Sequence, residues 1–203
     1  MAETADASSQ TDVGPDEPAE PRAEDSVEFH TGPAMKITLE RRFRGAEGSI
    51  TGALYCIDDA ELVRALSVKA RDGVQVRLVL DESQVRKPSC SMQLQRMLEL
   101  IEWGASVYRL RVTGSGFAIL HHKLWVVDGE MLLSGSVNPT HPGLTCNDEH
   151  LLEIKHAGAV SDALAHIEGL IARATLVTTA YVSELIHTQR ERRRSASASA
   201  RRR

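Results

Sequence analysis

The spacing of apolar positions changes along the chain, and each change marks an element. Val27-Glu28-Phe29-His30 alternates before Thr31-Gly32-Pro33, which predicts a short first strand closed by a turn. Residues 34–47 carry Met35, Ile37, Leu39 and Phe43 at uneven helical spacing and predict a helix stopped by Gly48. Residues 49–57, SITGALYCI, predict a strand. Asp58 then stands as a helix N-cap with Glu61 at the capping-box position. Leu62, Leu66 and Ala70 line one face of that helix, which ends at Gly73. Residues 74–80 are nearly continuously apolar, the pattern of a strand buried on both faces. Strand, helix and strand in roughly 30 residues make a βαβ unit with parallel pairing.

The pattern continues with a polar loop at 81–88, on the sheet edge that faces ligands in α/β folds. A helix follows at 89–103, with Leu94, Leu98 and Ile101 on one stripe, then a strand at 105–112. Two strands flank Asp128-Gly129, a strong hairpin signal. After a polar loop at 139–150 come a strand at 151–154 and a helix from 160 to about 176, extending toward Ile186. The expected fold is α/β: a mixed sheet of about seven strands with helices on both faces.

Composition adds the boundaries. The chain has 203 residues, 42% hydrophobic and 26% charged, which suits one soluble domain with tails. Residues 1–26 are acidic and poor in apolar side chains, residues 188–203 are Arg-rich and of low complexity, and both are expected to be disordered. The domain is expected at 27–187. The net charge of -4 argues against a bulk nucleic-acid binder. No apolar run reaches the ~20 residues of a membrane span, and the N-terminus has the marks of neither a signal nor a transit peptide. The expected location is intracellular, cytoplasmic or peripheral to a membrane. Cys56, Cys90 and Cys146 are too far apart for a CxxC metal site.

The candidate chemistry lies in residues 119–138, ILHHKLWVVDGEMLLSGSVN. On a strand, His121 and Lys123 point the same way, as do Ser136 and Asn138. One imidazole, one ammonium and one carboxamide then converge beside a hairpin, a patch suited to a tetrahedral phosphate. His122 falls on the opposite face and is left out. Lone His30 reads as structural or exposed, and His141 and His150, on site-side loops, read as structural.

The order His121-x-Lys123, four residues, Asp128, six residues, Gly135-Ser136-x-Asn138 resembles the signature of the phospholipase D superfamily. Asn147-Asp148-Glu149, before an apolar strand, resembles the acidic element that follows that signature. The likeness is to single-motif members: Nuc-type endonucleases and the mitochondrial cardiolipin hydrolase (Zucchini) group. It implies a phosphodiesterase in which His121 is the nucleophile, forming a phosphohistidine. Glu149 would orient His121, Lys123 and Asn138 would hold phosphate oxygens, and Ser136 would assist through its hydroxyl. Asp128 would fix the hairpin or Lys123. No metal or cofactor is implied. One motif copy implies a homodimer that brings two His121 residues to one site. The implied substrate is phospholipid ahead of single-stranded nucleic acid, with a non-catalytic phosphate- or partner-binding module as the other alternative.

Two departures stand out. The Zucchini group carries a membrane anchor and a Cys/His zinc finger, and this sequence has neither pattern. After Asn138 the chain reads PTHPG, where the family often has an aromatic residue followed by Thr. A basic groove for nucleic acid would draw on Arg77, Arg86, Lys87, Arg109 and Arg111. An apolar cleft mouth for lipid would draw on Phe117, Ile119 and Leu144. The Arg-rich tail would suit anionic lipid or RNA.

Overall fold

The computed structural model describes residues 25–87, 91–114 and 118–200, so Cys90 and Phe117 lie outside the described residues. The strands are β1 (Ser26–Thr31), β2 (Ser49–Leu54), β3 (Gln75–Asp81), β4 (Ser106–Leu110), β5 (Lys123–Val127), β6 (Met131–Gly135), β7 (His150–Lys155) and β8 (Thr175–Leu176). The helices are α1 (Pro33–Gly45), α2 (Ala60–Arg71), α3 (Glu82–Arg86), α4 (Ser91–Glu102), α5 (His141–Thr145), α6 (Ala157–Ile171) and α7 (Thr179–Ala200). All the strands join one sheet in the order β1-β7-β6-β5-β2-β3-β4-β8. β2, β3 and β4 are parallel, and the other pairs are antiparallel.

Strand alternation sorts the core onto two faces. Ile50, Leu54, Leu78, Leu80, Trp125 and Leu133 pack with α1, α2, α4 and α7. Ala53, Val79, Val126 and Leu132 pack with Val160, Ile167 and Leu170 of α6. Gly52 makes the first face possible, because a Cβ there would stand 2.7 Å from the Trp125 ring. Trp125 in turn meets Phe43 of α1, with ring centroids 4.7 Å apart.

Several boundaries differ from the sequence expectation. Among the described residues the sheet has eight strands rather than about seven, because β8 is a two-residue edge pairing with no periodic signal. The expected helix at 160–186 is two helices, α6 and α7, with β8 between them. The 81–88 and 139–150 loops contain the short helices α3 and α5, capped by the Asp81 carboxylate and the Thr140 hydroxyl. The α2 cap is Asp59, whose carboxylate accepts from the backbone N–H of Glu61 and Leu62. Glu61 is therefore one position short of a capping box. Asp58 instead accepts from the His141 N–H at 3.2 Å and ties the two loops together. Helix α7 runs to Ala200, past the boundary that composition suggests at 187, and Gln189 on it is buried.

Candidate active site

The candidate residues gather where β2, β3 and β6 end and β5 and β7 begin. Lys123 opens β5 opposite Leu54, and the Tyr55 N–H donates to the His122 carbonyl at 2.9 Å, extending that ladder toward His121. Lys123 has the facing of Trp125 and is buried at 6% exposure. Its Nζ donates to the His121 carbonyl at 2.9 Å and lies 5.4 Å from the Tyr55 ring centroid. Burial pushes the Lys123 pKa below the usual lysine value and outweighs the opposing pull of Cys56 and Glu149. The exposed His121 ring meets the same tyrosine edge-on, with centroids 5.0 Å apart. Tyr55 is thus the packing surface between nucleophile candidate and cation. Only its position at the end of a buried strand pointed to it in the sequence.

The β6 side is built by close backbone approach. The N–H groups of Ser136 and Val137 both donate to the His150 carbonyl, at 3.1 and 3.4 Å. A Cβ at Gly135 would stand 2.2 Å from that carbonyl oxygen, so only glycine fits the Gly-Ser step. The Ser136 Oγ accepts from the His150 N–H at 3.1 Å, which leaves the hydroxyl hydrogen free to donate. The Pro139 carbonyl accepts from the N–H groups of Asp58 and Asp59 and fixes the segment from the β2 side. Held between these anchors, Asn138 has a buried Oδ1 with no hydrogen-bond partner.

Glu149 precedes β7 at the same edge. Its Oε1 accepts from the Asn147 side chain at 3.1 Å, and among the described residues no hydrogen bond joins it to His121. Asp128 is not part of the cluster. It sits beyond the far end of β5, roughly 16 Å of strand away from Lys123. Asp128 and Gly129 both take positive φ, 53° and 68°, as a type I′ turn requires. The Asp128 carboxylate accepts from the N–H groups of Glu47, Gly48 and Ser49. Burial alone would raise its pKa, but these three donors, with Lys69 nearby, hold it below the usual carboxylate value. Asp128 therefore fastens the hairpin to the start of β2.

A residue outside the signature anchors the approach to His121. Asp81, 2% exposed at the end of β3, accepts from the Leu120 N–H at 2.8 Å as well as from Ser83 and Gln84. Its signal in the sequence was weak: an acid at the ligand-facing end of a buried strand.

His121 opens into a cleft of about 650 Å³ whose walls are Leu110, Val112, Ile119, Leu120 and Leu170, with Arg111 and Arg173 among them. His122 and His166 also line it, so His122 borders the site rather than lying remote from it. Burial, then His166, Lys123 and His121, lower the His122 pKa. Of the other expected basic residues, Arg77 pairs with Glu168, and Arg109 pairs with Glu82 and stacks 4.8 Å over Tyr181. Arg111 is exposed and has no ion pair among the described residues. Ile119 is 41% exposed at the cleft, whereas Leu144 is buried in the core and forms no part of the mouth. His150 stacks on Phe29, and His141 lies on α5 beside Thr145. No helix among the described residues is long and apolar enough to cross a membrane.

Comparison with known proteins bears on this geometry. Residues 39–171 match the family model described as "Cardiolipin synthase, PLD-like domain". The mitochondrial cardiolipin hydrolase of Xenopus laevis is 31% identical over 123 residues, 61% of this chain and 54% of that protein. Cardiolipin synthase A of Serratia proteamaculans is 31% identical over 130 residues, 62% of this chain and 25% of that protein. The matched region thus spans about half of the first relative and a quarter of the second. Among solved structures, NucT from Helicobacter pylori has a TM-score of 0.68 at 18% identity, covering 76% of this chain and all of that one. Nuc from Salmonella typhimurium, a phospholipase D family member, has a TM-score of 0.64 at 23% identity, covering 76% of this chain and 99% of that one. Both share the fold.

Proposed function

Because the chain belongs to the phospholipase D-like family whose model spans residues 39–171, we propose that it is a phosphodiester hydrolase in which His121 attacks phosphorus, with phospholipid as its substrate. One observation carries this reading. His121 and Lys123 at the start of β5 and Asn138 just past the end of β6 reach the same end of the sheet, and the Lys123 ammonium is fixed to the carbonyl of His121 itself.

The reaction has two displacements. A ring nitrogen of neutral His121 forms a bond to phosphorus, and the bond from phosphorus to the leaving oxygen breaks. That oxygen takes a proton from the partner subunit's His121 and departs as an alcohol. Water then attacks phosphorus and gives its proton back to the partner's His121. The nitrogen–phosphorus bond breaks, releasing a phosphomonoester. Lys123 and the Asn138 amide N–H groups stabilise the charge on the non-bridging oxygens in both steps. The Ser136 hydroxyl adds a donor. Glu149, by giving up its exposed bond to Asn147, orients the His121 ring. The family chemistry asks for no metal or cofactor.

The cleft beside His121, whose walls do not include Lys123 or Asn138, favours phospholipid. Its walls are aliphatic with two arginines among them, which suits an anionic head group attached to acyl chains. Among the described residues it offers no aromatic ring other than imidazoles on which a base would stack. The arginines of α7 between Arg190 and Arg194 are exposed and would attract anionic lipid. A second reading, a single-strand endonuclease, is favoured by Arg111 and Arg173 beside His121 and by the likeness to Nuc. Hydrolysis of cardiolipin, phosphatidylcholine and single-stranded RNA and DNA, measured side by side with His121→Ala as control, separates the two. The expected result is phospholipid cleavage that the variant lacks. Cleavage of nucleic acid alone would replace the lipid reading with the nuclease one.

A further inference from the structure

His122 and His166 form a pair that the phosphodiester chemistry does not use. Their Nε2 atoms stand 3.1 Å apart, although the residues are 44 positions apart in sequence, one before β5 and one on α6. The ring centroids are 5.0 Å apart and the planes cross at 87°. At 3.1 Å the two nitrogens also stand within N–H···N hydrogen-bond distance. A tetrahedral ion with metal–nitrogen bonds of about 2.05 Å would hold the nitrogens roughly 3.3 Å and the centroids roughly 5.2 Å apart. Both observed separations lie within about 0.3 Å of that chelate. Both side chains are exposed at the cleft, and neither ring has another hydrogen bond among the described residues, so closing the difference costs little.

We propose that His122 and His166 are two ligands of a binding site for a divalent cation of the zinc, nickel and cobalt class, with water completing the coordination. Imidazole nitrogens suit these ions and not magnesium or calcium. A bound ion would tie the residue next to His121 to α6 across the cleft. The competing cluster, Glu28, His30 and Glu153, is less suited. The buried Glu153 carboxylate there is already taken by the guanidinium groups of Arg41 and Arg42.

Calorimetric titration of the full chain with zinc chloride at neutral pH tests the site without reference to catalysis. One zinc equivalent is expected that magnesium does not displace. It should be lost, or weakened at least about tenfold, in His166→Ala and in His122→Ala. It should survive in His30→Ala, with circular dichroism establishing that each variant is folded. The proposal is overturned if the wild-type chain binds no zinc, if His166→Ala binds it unchanged, or if the equivalent disappears with His30→Ala.

Discussion

The Lys123 ammonium donates to the backbone carbonyl of His121, two residues earlier in the chain, at 2.9 Å. A strand that begins at Lys123 thus fixes the peptide of the adjacent nucleophile candidate and holds a cation beside it. Removing the amine should cost both functions. Lys123→Ala should lower kcat by about 10²–10³-fold, read in a steady-state assay, with the fold retained.

The Lys123 pKa adds a test by pH. In the proposed mechanism its charged form stabilises phosphate, and burial lowers its pKa below 10.5. Activity is therefore held below that lowered pKa and lost as pH rises through it. The alkaline limb of kcat/KM should fall below the ordinary lysine range and move upward in Lys123→Arg, whose charge persists above pH ~12. An unchanged limb in the arginine variant would assign it to another group.

Asn138 should separate activity from stability. Its buried, unpartnered Oδ1 carries a cost of about 1–3 kcal/mol that Asn138→Ala removes. Thermal unfolding should show the variant no less stable than the parent, while kcat falls about 10²-fold. A large loss of stability with intact turnover would make Asn138 a structural residue.

Asp128 should behave the opposite way. It sits far from His121 and holds three backbone N–H groups. Asp128→Ala should cost about 1 kcal/mol, at the low end because the carboxylate is partly exposed to solvent. Its folded-state pKa is depressed, so its contribution is present above the unfolded value of 3.8 and is lost as pH falls through the folded one. The gap in Tm between parent and variant should therefore close on acidification.

The sheet's central strands and the hairpin were legible because their signals are local. Residues 74–80 are apolar except at Gln75 and Arg77, and Asp128-Gly129 imposes its own turn. The edge strand β8, the short helices α3 and α5, and the true cap of α2 were not legible. Partners distant in sequence set β8, where Val107 accepts from the Val177 N–H, and the α2 cap, where Pro139 receives the N–H groups of Asp58 and Asp59; α3 and α5, five residues each, are capped locally by Asp81 and Thr140 but are too short to show a helical period. The candidate site divides likewise. Spacing placed His121, Lys123 and Asn138 together, but Tyr55 and Asp81 entered only through the β2 and β3 strand ends.

Asp81 is the sharpest test of that second group. Asp81→Ala removes the α3 cap and leaves the buried Leu120 N–H without its acceptor, for about 2 kcal/mol of destabilisation. Turnover should drop as well, because Leu120 adjoins His121. Asp81→Asn, which keeps an acceptor, should restore part of both.

In the proposed reaction His121 itself bonds to phosphorus. This step is tested most directly by quenching a turning-over reaction with alkali and locating the phosphoryl adduct by mass spectrometry. The expected adduct lies on His121 and is absent from His121→Ala, which does not turn over. An adduct on another residue, or undiminished turnover in the variant, would contradict it.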